Sequence, residues 1–130
     1  MKKTLLLLLL ITLQTSLFSQ SENIIGNYEK TIDTRSDSSV YHLSLNEDGT
    51  FIFQYSQNIH CAACPQEANK GKGTWKEKKG IIFFKSKNGK DINEEFTVNL
   101  NKTKANIEEK LFRVTESNIP YLKDIVLVKQ

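Results

Sequence analysis

The sequence predicts an all-β protein, folded as an antiparallel up-and-down barrel of about eight or nine short strands. Three observations predict it. Apolar and polar residues alternate on both sides of two glycine-containing turns. Links of hairpin length join these runs, which favours a sequential meander. Helical periodicity is weak throughout. A sheet with open edges is an aggregation site, so a meander of this size is expected to close on itself.

Residues 1–19 read as a leader. Met1-Lys2-Lys3 is basic, residues 5–13 are apolar but for Thr12, and Leu17-Phe18-Ser19 ends the stretch on a small residue. This is the order of a secretory signal peptide, with cleavage expected after Ser19. A spanning helix needs about 20 apolar residues, roughly twice this run. No cysteine stands near the cleavage site to carry a lipid. The expected product is one soluble domain, residues 20–130. It would be exported to the periplasm or the medium, monomeric, with neither membrane span nor lipid anchor.

Without its two leader lysines the chain carries 16 basic and 15 acidic residues. So even a balance gives nucleic acid little to hold. Lysines interleave with acids, which reads as a solvated surface.

Gly26-Asn27-Tyr28 opens the first strand. The next signal is Val40-Tyr41-His42-Leu43-Ser44-Leu45, Asn46-Glu47-Asp48-Gly49, then Thr50-Phe51-Ile52-Phe53-Gln54-Tyr55. A two-residue Asp48-Gly49 turn would set Leu43 against Gln54 and mix the faces. A three-residue loop with Gly49 left-handed pairs Leu45 with Phe51, Leu43 with Phe53 and Tyr41 with Tyr55. That register gathers the apolar side chains on one face. In the second hairpin Gly80 takes the same role, and Trp75 is expected opposite Phe83. The predicted core is therefore Tyr41, Leu43, Leu45, Phe51, Phe53 and Trp75. Asn88-Gly89 marks a turn. Phe96, Val98 and Leu100 alternate with polar residues as a half-buried strand would. Residues 111–114 and 125–128 are further strands. A helical turn is expected over 117–123, limited by Pro120. Large aromatic residues should fill the interior, leaving at most a shallow pocket at one barrel mouth.

The Gly26-Asn27-Tyr28 opening, the Asn46-Glu47-Asp48-Gly49-Thr50-Phe51 hairpin and Gly73-Thr74-Trp75 resemble the small exported lipocalin-like domains of Bacteroidetes-type bacteria. The resemblance implies a lipocalin-like barrel. It implies a fold more than a function.

One stretch breaks the hairpin rhythm, residues 57–71, and long loops of this kind are functional or disordered. It holds His60-Cys61-Ala62-Ala63-Cys64-Pro65, with the only two cysteines of the chain. In an oxidising compartment Cys61 and Cys64 are disulfide candidates. Thiol redox chemistry is a second reading, though such motifs usually open a helix in an α/β frame. Metal capture by His60, Cys61 and Cys64 is a third, and it is three ligands where a closed zinc site wants about four. His42, the other histidine, falls on the face opposite Leu43. No catalytic constellation emerges: neither a triad nor carboxylates in an apolar setting can be found. The expected function is binding without catalysis, of a small apolar molecule or an envelope protein, with no cofactor. The alternative is thiol or metal handling through the His60–Cys64 loop.

Overall fold

The computed structural model describes residues 23–59 and 67–130. The leader and the predicted site residues His60, Cys61 and Cys64 lie outside the described residues. Eight strands follow in chain order: β1 (Gly26–Asp33), β2 (Asp37–Leu45), β3 (Thr50–Ile59), β4 (Glu67–Lys78), β5 (Ile81–Lys85), β6 (Lys104–Glu108), β7 (Leu111–Glu116) and β8 (Val126–Lys129). A 3-10 turn at Pro120–Leu122 precedes β8, with the proline at its start. Each strand pairs antiparallel with the next, and β8 returns to β1 to close the barrel. This is the all-β up-and-down meander that the sequence predicts. Among the described residues no helix is long and apolar enough to cross a membrane.

The β2–β3 hairpin has the register derived above. Leu45 pairs with Phe51, Leu43 with Phe53 and Tyr41 with Tyr55. Gly49 is left-handed at φ 83°. Asp48 secures the turn by accepting from the Thr50 N–H at 3.0 Å and the Thr50 hydroxyl at 2.6 Å. These bonds hold its carboxyl below the usual carboxylate range, the hydroxyl contributing most.

The β4–β5 hairpin departs from expectation. Lys78 pairs with Ile81 and Trp75 with Phe84, not Phe83. The loop has two residues, and both are left-handed: Lys79 at φ 54° and Gly80 at φ 80°. Turns of this type match the twist of the strands, and that gain outweighs the strain at a lysine. The register sends Ile82 and Phe84 inward and leaves Phe83 on the outer side.

Strand β3 runs on to Ile59 and β4 begins at Glu67, with Gln57 opposite Glu67. The irregular stretch is thus shorter than residues 57–71. A longer excursion, residues 86–103, separates β5 from β6. The strand expected at Phe96, Val98 and Leu100 lies inside it. Val98 and Leu100 are buried there, but the segment joins no ladder. Its hold on the barrel is local. The Val98 N–H donates to the Lys70 carbonyl at 2.9 Å. The Ser86 hydroxyl donates to the Lys72 carbonyl at 2.8 Å, and Asn101 bonds both ways with the Ser86 backbone. β4 admits the excursion at Gly71 and the end of β5 at Gly73. A Cβ on Gly71 would sit 3.0 Å from the Val98 carbonyl oxygen, and one on Gly73 would sit 2.1 Å from that of Lys85.

All six predicted core residues are buried, together with Tyr28, Ile82, Phe84, Leu100, Phe112, Leu122 and Leu127. Aromatic rings pack inside, Phe51 edge-on to Phe84 at 4.9 Å and Tyr28 tilted against Phe112 at 5.4 Å. The Tyr28 hydroxyl donates to the Ile24 carbonyl at 2.6 Å, and the Trp75 indole to that of Asn46 at 3.1 Å. Among the described residues every buried side-chain polar atom has a partner. The barrel closes along a thin seam. β8 meets β1 only at Tyr28–Lys129 and Glu29–Val128, and meets β7 only from Leu111 to Arg113.

Candidate functional site

The lumen is filled. The void among Leu43, Phe53, Phe84, Leu100, Phe112 and Leu122 measures about 10 Å³. That is near the space of one water molecule and far below the roughly 300 Å³ of a ligand pocket. Any ligand must therefore bind outside the core.

Both ends of the barrel carry open hollows, where the sequence suggested at most one. The lower end, where the β2–β3, β4–β5 and β6–β7 hairpins turn, has one of about 710 Å³ bordered by Asn23, Glu77, Glu109, Lys110 and Lys129. Its rim mixes both signs of charge, and Lys129 Nζ is already bonded to the Asn23 carbonyl at 2.9 Å.

The upper end is more ordered. Here the 3-10 turn lays Tyr121 across the mouth. Its ring stacks on Tyr55 at 4.2 Å and 12°, and its carbonyl accepts the Tyr41 hydroxyl at 2.8 Å. Tyr41 and Tyr55 meet at 4.9 Å, and Ser39 lies 3.4 Å from the Tyr55 hydroxyl. Tyr121 then borders a hollow of about 390 Å³ with Asn69, Thr97, Val98, Asn99, Asn118 and Ile119. The lining is three amides, a hydroxyl, two aliphatic side chains and a phenol, with no charged group. Such a surface can stack on a flat apolar face and bond several neutral polar groups around it.

Sequence reading paired Tyr41 with Tyr55 but gave Tyr121 no role. Tyr41 and Tyr121 are eighty positions apart and meet only because the barrel closes. The excursion had one sequence signal, the Gly71-x-Gly73 pair inside a strand, which marks close backbone approach.

Burial disfavours the phenolate at Tyr41, Tyr121 and Tyr28. Tyr41 is pushed up to about 12, by burial first and then by Tyr55 and Tyr121. Tyr28 is pushed up to about 12 by burial, and Tyr121 is raised by burial and then by Tyr55. A phenol unfolds to an ordinary value of about 10. The folded state holds these protons longer, so their stabilising contribution is complete below about pH 10 and is lost as pH rises towards 12. The expected result is base unfolding in that interval, with phenolate absorbance rising together with loss of β-sheet circular dichroism. Free titration of Tyr28, Tyr41 and Tyr121 near about 10 with the fold intact would contradict their burial.

His42 stands on the outer wall, its Nδ1 2.9 Å from Glu29, and both side chains are exposed. Glu94 and Glu95 lie in the excursion, and Glu109 is in the β6–β7 turn. Among the described residues no three His, Cys, Asp or Glu side chains converge. Comparison with family models, with curated proteins and with solved structures finds no match, so the functional reading rests on this geometry.

Proposed function

We propose that the protein is an exported binding module without catalysis of its own, and that the upper mouth is its binding surface. Its ligand is a small neutral molecule that offers one flat face and several hydrogen-bonding groups. The Tyr41–Tyr55–Tyr121 cluster above a filled lumen carries this reading. It fixes an aromatic ring at the rim before any ligand arrives, which lowers the ordering cost of binding. The filled lumen argues against an apolar ligand carried inside, and the uncharged lining argues against an ionic one. The leader supports export, and the barrel is compatible with a lipocalin-like origin.

The cysteine loop supplies the rival reading, because its flanks, Ile59 and Glu67, stand at the same barrel end. Titration with a panel of neutral oligosaccharides and nucleosides, followed by amide NMR, separates the two. Shifts are expected at the Asn69, Asn99 and Asn118 side-chain amides, and Tyr121→Ala is expected to abolish them while the barrel stays folded. A Cys61→Ser/Cys64→Ser variant is expected to bind like the parent. Binding that survives Tyr121→Ala, or that needs the thiols, overturns the reading.

A further inference from the structure

Strand β4 reads Lys70-Gly71-Lys72-Gly73-Thr74-Trp75-Lys76-Glu77-Lys78, and its inward positions Gly71, Gly73 and Trp75 are buried. The alternation sends Lys70, Lys72, Thr74, Lys76 and Lys78 to the outer wall. Four lysines thus stand in one file about 26 Å long, at about 3.3 Å per residue. β5 adds Lys85 opposite Thr74, and β6 adds Lys104 opposite Phe83. The adjoining outward positions of β3 are neutral: Gln54 faces Lys70, Ile52 faces Lys72 and Thr50 faces Thr74.

This concentration is not what the fold requires. Lysines on a strand commonly blunt an exposed sheet edge. β4 lies inside the closed barrel, paired with β3 over Glu67–Thr74 and with β5 over Thr74–Lys78. Like charges at neighbouring positions repel, so the file costs stability. It is also local, because the mature chain carries almost equal numbers of bases and acids. Glu95 lies 3.7 Å from Lys70 and Glu116 lies 3.3 Å from Lys104. Among the described residues no carboxylate stands within ion-pair distance of Lys76, Lys78 or Lys85.

The wall also has a concave place. An open groove of about 390 Å³ lies among Thr74, Lys76, Phe83, Lys85 and Asn101, with the buried Trp75 and Phe84 at its floor. Phe83 is half-buried, and Lys104 Nζ stands 5.7 Å from its ring centre. An aromatic surface between cationic rims fits a sugar ring that bears an acid group: its C–H face lies on Phe83 and its anion meets the lysines.

We propose that the outer wall of β4 and β5 docks an acidic polysaccharide, with one sugar in the Phe83 groove and the chain lying along the lysine file. A linear polyanion matches a linear file. A membrane fits less well, because among the described residues Ile52 is the single strongly exposed large apolar side chain on this wall and gives little to insert among acyl chains. A single-stranded nucleic acid would want a succession of exposed aromatic platforms, and of the groove's Trp75, Phe83 and Phe84 the first and last are buried. The proposal is independent of the upper mouth.

The test is affinity for polygalacturonate and heparin at physiological salt, measured beside neutral dextran, anionic phospholipid vesicles and single-stranded DNA. Both acidic polysaccharides are expected to bind and dextran to fail. The variant Lys76→Gln/Lys78→Gln/Lys85→Gln is expected to weaken binding about tenfold or more and to flatten its salt dependence. Phe83→Ser is expected to weaken polygalacturonate binding further. Lys30→Gln/Lys123→Gln, elsewhere on the surface, is the charge control and should bind like the parent. Circular dichroism confirms that each variant is folded. Equal weakening in the control, absence of polysaccharide binding, or tighter binding to vesicles or DNA would each overturn the proposal.

Discussion

Replacing Phe53 by alanine is expected to cost about 3–5 kcal/mol of folding stability, the range for a phenylalanine removed from a rigid core. Phe53 is 2% exposed at the centre of β3. It pairs with Leu43 on one side and Gly71 on the other, so its backbone is held by ladders on both edges. A closed barrel cannot slide its walls inward to fill a void, and the interior has only about 10 Å³ to spare before the change. The lost ring therefore leaves most of its volume empty. Its neighbour Ile52 is 45% exposed on the outer wall, and Ile52→Ala should stay within about 0.5 kcal/mol. Urea unfolding of the two variants makes the comparison. A Phe53→Ala loss below about 1 kcal/mol would show that this face of β3 is not the inner one.

The second large effect is expected at Gly73. A methyl group there would stand 2.1 Å from the Lys85 carbonyl oxygen and 3.0 Å from the Phe51 ring. The carbonyl is backbone and cannot rotate away, so either β4 bows outward or the end of β5 is displaced. Gly73→Ala should cost about 3 kcal/mol, the upper range for overpacking. Gly80→Ala makes a useful contrast. Nothing lies within 4 Å of its added methyl, but its φ of 80° strains any side chain. That cost is about 1–2 kcal/mol. Equal losses at the two sites, read from denaturation midpoints, would mean that backbone conformation rather than space governs Gly73.

These two sites also mark where the sequence is legible and where it is not. The first hairpin could be derived because two independent demands agree: Gly49 must be left-handed, and only one register gathers the apolar side chains. The second could not, because its turn relies on a lysine at φ 54°, a conformation that lysine does not advertise. Phe96, Val98 and Leu100 misled for a different reason. Alternating burial reports which side chains face a core, not whether the backbone joins a ladder. The rim of Tyr41, Tyr55 and Tyr121 was invisible as a unit, because a sequence pattern carries local spacing and this contact is made by closure. The lysine file was present in the alternation of β4, but only the observed pairing shows that its β3 flank is neutral and that β4 lies inside a closed barrel.

The thin seam at β8 has a kinetic consequence. Until β8 is in place, β1 and β7 each keep an unpaired rim; β8 reaches β7 through pairs such as Leu111–Val128, close in the chain, but reaches β1 through pairs about a hundred positions apart. The sequential hairpins can pair without β8, so closure onto β1 should come late. Domains rich in such distant pairings fold slowly, on the millisecond-to-second scale. During that interval the nascent sheet is sticky, and four short residues at the tail decide when it stops being so.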